Sequence, residues 1–259
     1  VTELTEPYPQ GAPCWVDMMS TDHRVTAEFY AGLLGWEFEV GGAESGHYAM
    51  ALVRGKPVAG VARMPPDARF PVVWTSYLAT DDLDESLARV AAHGGQELVP
   101  VFDTGGPGRG AVAVDPTGAS FGLWEAGTHI GAYLVREPGA LWWNELATRD
   151  LAGASAFYRD VFGLEPQPEP GMRYSRLALG GHPVAGVFGM DAEIPPEIPP
   201  HWMTYFAVPD AEAAAARAAE LGGVVVHEVV RSPFGWFTTL GDPLGATFRV
   251  IQPPPSSRG

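Results

Sequence analysis

The sequence predicts an α+β chain of two tandem modules, residues 11–126 and 139–252, joined by a linker at 127–138. Three observations predict it. The chain repeats itself after 128 residues: Gly11, Ala12, Trp15, Asp22, Phe29, Tyr30, Gly35 and Glu37 fall on Gly139, Ala140, Trp143, Asp150, Phe157, Tyr158, Gly163 and Glu165. Each module then reads as two similar halves, a strand, a helix and further short strands. The runs after each helix, such as HYAMALV and AVAVD, alternate only partly and are split by Gly and Pro. A repeat this long is a duplicated domain rather than a solenoid unit of about 20–50 residues.

The helices carry their own start and stop signals. Asp22 can cap the first by accepting an orphan backbone N–H, and Gly35 supplies a left-handed stop. Val25, Phe29 and Leu33 recur at i, i+4 and i+8 and predict its apolar face. Asp82, with Glu85 three residues on, opens the second helix, which Gly94 and Gly95 end. Asp150–Gly163 and Asp210–Gly222 repeat the scheme. DPTG at 115–118 and DPLG at 242–245 have the residues of a type I turn and should join the last two strands of each module. The Pro-rich pieces MPPDARFPV and DAEIPPEIPPHW read as exposed connectors. The linker predicts a short strand at 132–135. GGPGRG at 105–110 lacks a phosphate loop's Lys and following helix, so it reads as a hairpin loop whose Arg109 could reach over a cup mouth.

Composition bounds the function. The chain has 259 residues, 46% of them hydrophobic and 18% charged, enough to bury a core in each module. A formal charge of −15 repels nucleic-acid backbones and anionic lipid heads, so neither is an expected partner. No apolar run approaches the roughly 18 residues of a membrane span. The opening VTELTEPYPQG lacks the parts of a secretory signal, so a cytoplasmic location is expected, with export by a signal-less route left open. Cys14 is the single cysteine; it reads as an apolar filler, and it excludes intramolecular disulfides and cysteine-based zinc sites.

The doubled half-module, the pattern Asp22–x₆–Phe29–Tyr30–x₄–Gly35 with its copy at 150–163, the GG after the second helix and the DPxG before the last strand together resemble the vicinal-oxygen-chelate superfamily. This superfamily holds glyoxalase I, extradiol dioxygenases and bleomycin-resistance proteins. GAPCWVDMMSTD, HIGA, WNEL and DPTGASFGLW look like its two-module actinobacterial group, which includes a mycobacterial culture-filtrate antigen. The resemblance covers residues 11–252. It implies two βαβββ units per module, whose mixed sheet curls into a cup with the helices outside.

Metal-using members of the superfamily hold a divalent ion with His and Glu from four strands. Carried over by spacing, those positions are Trp15, Gly60, Thr75 and Gly122 in the first module, and Trp143, Gly186, Met203 and Arg249 in the second. None is an imidazole or a carboxylate, and a divalent ion needs several converging N or O donors. A register one residue off would bring in Asn144, Ser76 or Thr204, still no ligand set. The seven histidines show no ligand spacing, and most fall at predicted helix ends or turns. No metal or other cofactor is expected.

Strand alternation then predicts the cup lining. Trp15, Thr75, Tyr77 and Trp124 line the first cup, and Trp143, Met203, Tyr205 and Arg249 the second; Tyr48 and Tyr174, just before similar strands, are added as candidates whose facing alternation does not fix. Asp17 and Glu145 stand among them as candidate catalytic acids. Flat rings and a few polar groups suit a small aromatic or hydrophobic molecule. The alternative is that these aromatics are core and that the acids sit in structural salt bridges, Arg249 being a candidate partner. Three functions follow: a binder that sequesters or carries a natural product, as bleomycin-resistance proteins do; a metal-independent enzyme with Asp17 or Glu145 as general base; or an interaction protein with filled cups. Whether the chain is an enzyme stays open, and either a monomer or a homodimer fits.

Overall fold

The computed structural model describes residues 3–254. The first module contains β1 (Pro13–Ser20), α1 (His23–Leu34), β2 (Glu37–Val40), β3 (Ala49–Val53), β4 (Lys56–Arg63), β5 (Trp74–Ala79), α2 (Leu83–Ala92), β6 (Gln96–Asp103), β7 (Gly108–Val114) and β8 (Ser120–Ala126). The second contains β9 (Leu141–Thr148), α3 (Leu151–Phe162), β10 (Glu165–Pro168), β11 (Tyr174–Leu179), β12 (His182–Gly189), β13 (His201–Ala207), α4 (Ala211–Glu220), β14 (Val224–Val225), β15 (Val230–Ser232), β16 (Gly235–Gly241) and β17 (Thr247–Gln252). Each module forms one mixed sheet, ordered β2-β3-β4-β1-β5-β8-β7-β6 and β10-β11-β12-β9-β13-β17-β16-β14, with β15 on β16. The two βαβββ units of a module join through antiparallel pairs, β1 with β5 and β9 with β13. Among the described residues no helix is long and apolar enough to cross a membrane.

The local signals act as the sequence predicts. Asp22 accepts from the backbone of Arg24 and Val25, Asp82 from Glu85, Asp150 from Gly153 and Asp210 from Ala213. Gly35 and Gly163 both close their helices at φ 72°, a conformation that a Cβ disfavours. In both DPxG turns the glycine N–H donates back to the aspartate carbonyl, Gly118 at 3.0 Å and Gly245 at 3.1 Å.

Three expectations are corrected. The buried stripe of α1 is Thr26, Phe29, Tyr30 and Leu34; Val25 and Leu33 lie at its margin, because this helix is wedged between two sheets and needs a wider face. The linker makes isolated bridges at Leu134 and Val135 rather than a strand. Arg109 faces the helix side, paired with Asp84 at 2.8 Å and Glu125 at 3.5 Å, and does not overhang a cup.

The core explains much of the repeated sequence. The sheets pack back to back through β5 and β13, with α1 beside α4 on one flank and α2 beside α3 on the other. Each core is therefore shared. Tyr30, Trp36 and Trp74 pack with Phe206 and Phe248, while Phe121 and Leu123 pack with Phe157, Tyr158 and Trp202. The Tyr30 hydroxyl donates to Asp242 Oδ2 at 3.2 Å and accepts from Trp74 Nε1 at 2.9 Å. Its copy is reciprocal: the Tyr158 hydroxyl donates to Asp115 Oδ2 at 3.0 Å and accepts from Trp202 Nε1 at 2.9 Å. The helical FY of each module thus binds the DPxG turn of the other. At the centre, Ser76 donates to Asn144 Oδ1 at 2.8 Å, with Thr204 beside them. Asn144, Ser76 and Thr204 therefore face the partner module, which fixes the register that puts their neighbours in the cups.

Candidate functional site

With Val16 and Met18 turned into the shared core, Trp15 and Asp17 must point to the concave face of the first sheet. Asp17 lies between Gly60 and Thr75 in register, and Trp15 lies beside Tyr77, which lies beside Gly122. A chain of hydrogen bonds crosses the floor. Trp15 Nε1 donates to the Tyr48 hydroxyl at 3.0 Å, which donates to Asp17 Oδ2 at 3.1 Å, and the Tyr77 hydroxyl reaches the same oxygen at 3.3 Å. Among the described residues Asp17 Oδ1 has no protein partner, and it is not sealed from solvent. Among the described residues no cation pairs with this carboxylate. Burial pushes its pKa up to about 7, only partly offset by the two phenols. Burial, and then Asp17 itself, hold both phenols well above their ordinary range, so they remain donors.

Trp124 closes one side, its Nε1 donating to the His129 carbonyl at 2.8 Å. The His129 ring meets Trp15 edge-on at 4.5 Å and lies 5.6 Å from Trp124. Burial lowers its pKa to about 4, so it stands as a neutral ring. Sequence reasoning missed His129. It lies in the linker, outside any strand whose alternation would have pointed it inward.

The second cup repeats the frame with different chemistry. Trp143 Nε1 donates to the Tyr174 hydroxyl at 3.0 Å. Glu145 lies between Gly186 and Met203, and Tyr205 between Trp143 and Arg249. Here the acid has a cation, through one of its two oxygens. The Tyr205 hydroxyl donates to Glu145 Oε1 at 2.9 Å and Arg249 Nη1 to the same oxygen at 2.7 Å. Arg249 also bonds the Tyr205 hydroxyl, and its guanidinium carbon lies 5.2 Å from the Tyr205 ring centre and 5.3 Å from that of Phe237. Among the described residues, the salt bridge weighed from sequence is present at Glu145 and absent at Asp17. Met203, Tyr205 and Ile251 pack together, with Trp142, Trp143 and Phe237 against them.

The residues at the superfamily's ligand positions do not fit a divalent ion. A Cβ on Gly60 would lie 1.8 Å from the Tyr48 hydroxyl, one on Gly122 would lie 2.1 Å from the Tyr77 ring, and one on Gly186 would lie 2.0 Å from the Tyr174 hydroxyl. Tyrosine side chains therefore occupy the space that side chains from those positions would enter. Among the described residues no three of His, Cys, Asp and Glu converge as ligands. Trp15, Thr75, Trp143 and Met203 add at most one weak oxygen donor.

A family model described as a glyoxalase-like domain matches residues 15–124 and again 143–251. The chain belongs to the glyoxalase-like family. It is thereby a two-domain member of the vicinal-oxygen-chelate superfamily. Relatives of this glyoxalase-like chain align along nearly its whole length. A Mycobacterium tuberculosis protein named "Putative glyoxylase CFP32" is 44% identical over 96% of this chain and 97% of its own. "Anthracycline biosynthesis protein DnrV" of Streptomyces peucetius is 37% identical over 95% of this chain and 94% of its own. Among solved structures, the Mn(II)-bound glyoxalase of Novosphingobium aromaticivorans superposes with TM-score 0.66 at 19% identity, covering 94% of this chain and 82% of that one. The 2,3-dioxygenase LapB of Pseudomonas sp. KL28 gives 0.64 at 14%, with 97% of each chain covered. At such identities these neighbours share the glyoxalase-like fold and no more.

Proposed function

We propose that this glyoxalase-like protein binds a flat aromatic natural product in its first cup without a resident divalent ion, and so sequesters or carries it. The observation that carries the reading is Asp17: one carboxyl group, held by two phenols on Oδ2, with Oδ1 open among indole and phenol rings. A planar molecule stacking on those rings and pointing a hydroxyl at Oδ1 satisfies both the apolar wall and the one open polar atom. The relatives named for anthracycline biosynthesis support a polycyclic aromatic as the ligand class. The residues at the ligand positions support the metal-independent part.

The test pairs 2-naphthol with naphthalene on protein dialysed against EDTA. Tryptophan quenching should report tighter binding of the naphthol, and replacing Asp17 by Asn should narrow the gap. Binding that appears only when Mn, Ni, Zn or Fe is restored, or an absence of quenching by any flat aromatic, refutes the proposal.

A second reading has its own support. A carboxyl group with a pKa near 7, beside two phenol donors, is suited to take a proton at neutral pH while a phenol stabilises the oxyanion that forms. Under this reading Asp17→Asn abolishes turnover of the bound compound and keeps its binding; unchanged turnover excludes it. Glu145 is bonded to Arg249 and Tyr205 through Oε1 and is not the base of this reading.

A further inference from the structure

The duplicated cups differ at two aligned positions on the concave face. Where the last strand of the first cup has Gly122, beside Tyr77, the last strand of the second has Arg249, beside Tyr205. Where β3 places Met50 opposite Gly60, β11 places Arg176 opposite Gly186. Alternation puts Arg176 on the same face as Tyr174. One cup therefore holds an acid without a cation, and the other holds two guanidinium groups, each paired with one Glu: Arg249 with Glu145, and Arg176 with Glu169.

Arg249 is not saturated. Its Nε donates to Thr239 Oγ1 at 3.1 Å, and its Nη1 serves Glu145 and Tyr205. Its Nη2 has no partner among the described residues and is not sealed from solvent. The guanidinium plane is fixed by those bonds and by the Tyr205 and Phe237 rings, so Nη2 is a pre-aimed donor beside an aromatic wall. Trp142, Trp143 and Phe237 are only partly buried there, and Phe234 at the β15–β16 turn leans on Tyr174 with ring centres 6.0 Å apart.

We infer that the second cup is a separate site, which takes a planar carbonyl compound, an aryl ketone or quinone, through the Arg249 Nη2 donor. This inference rests on the reading of the cups as small-molecule sites. The acceptor is a neutral oxygen because Glu145 already balances Arg249, and an anion would add charge beside a buried carboxylate. A hydroxyl-edged ligand fits Asp17, a carbonyl-edged ligand fits Arg249, and a polycyclic compound bearing both groups can be held by either cup in opposite orientations.

The test uses 1-indanone and indane, alike in ring shape and different in the carbonyl. Binding is read by NMR at the indole N–H of Trp143 for the second cup and of Trp15 for the first, with 2-naphthol added to a parallel sample. Indanone should bind at least about tenfold tighter than indane, a difference of about 1.4 kcal/mol, and shift the Trp143 signal. In the double variant Arg249→Met, Glu145→Gln the ratio should fall towards one. Equal affinity of indanone and indane for the natural protein overturns the inference without any variant, as does a shift confined to Trp15. If 2-naphthol moves Trp15 while indanone leaves Trp143 still, the second site fails and the first stands. If neither probe binds, both readings fall.

Discussion

Asp17→Asn has an outcome whose sign and size follow from the structure. The carboxyl group goes from 3.8 in the unfolded chain to about 7 in the folded one. A raised folded value means that the native state keeps the proton to higher pH than the unfolded chain does. The stabilisation is complete below about pH 4 and is lost as pH climbs through about 7. At about 1.4 kcal/mol per pH unit, this rise corresponds to a loss of about 4 kcal/mol. Solvent at Oδ1 screens the charge, which brings the expected loss to about 2–3 kcal/mol. Asparagine cannot ionise and still accepts from one phenol, so the variant costs about 1 kcal/mol in acid. Urea unfolding of both proteins between about pH 3.5 and pH 8.5 isolates the effect, since every other titrating group cancels in the difference. The variant should be the less stable protein at the acid end and the more stable one at the alkaline end. A difference that stays level with pH refutes the account of an acid held without a cation.

Three further outcomes follow from the packing. Tyr30→Phe removes the donor to Asp242 and the acceptor for Trp74 at a fully buried site, so it should cost about 1–3 kcal/mol; a cycle with Asp242→Asn in thermal unfolding should show the pair strongly coupled. Gly60→Ala places a methyl group on the Tyr48 hydroxyl and should cost about 1–3 kcal/mol while breaking the Trp15–Tyr48–Asp17 chain, visible as a change in Trp15 fluorescence. Arg249→Met alone leaves Glu145 enclosed without its cation and should cost about 3–5 kcal/mol in denaturant unfolding; adding Glu145→Gln should recover most of it.

The duplication, the helix caps and the DPxG turns were legible because each depends on residues close in sequence. The facing of Trp15, Asp17, Trp143 and Glu145 was legible as well, since one inward residue per strand sets the facing of its neighbours at every second position. What Tyr30, Tyr158, Asp115 and Asp242 are for was not. Their partners lie in the other module, 212 residues away for Tyr30 and 43 for Tyr158, and no periodicity reports a contact across two sheets. For the same reason the FY motif and the Asp of DPxG looked like separate signatures. Arg249 was legible as a candidate partner of Glu145; that Asp17 has no counterpart follows from Gly122 at the aligned position. His129 escaped because irregular backbone carries no facing rule.

The two faces of the central strands explain how one repeated segment supports two chemistries. On β1 and β9, the residues Val16, Met18, Asn144 and Leu146 face the shared core and hold the modules together. Trp15, Asp17, Trp143 and Glu145 face the cups, where their hydrogen bonds stay within one module. A change on the core face must be matched in the other module, because each tyrosine–aspartate bond spans both. A change on the cup face need satisfy only its own floor. Gly122 and Arg249 show the consequence. With glycine, the Tyr77 ring covers the position and the acid has no cation; with arginine, the acid is paired through Oε1 and a guanidinium nitrogen adds a donor beside it. A single aligned position thus adds a cationic donor to one cup and not to the other, while the Trp–Tyr bond beneath it remains at 3.0 Å in both.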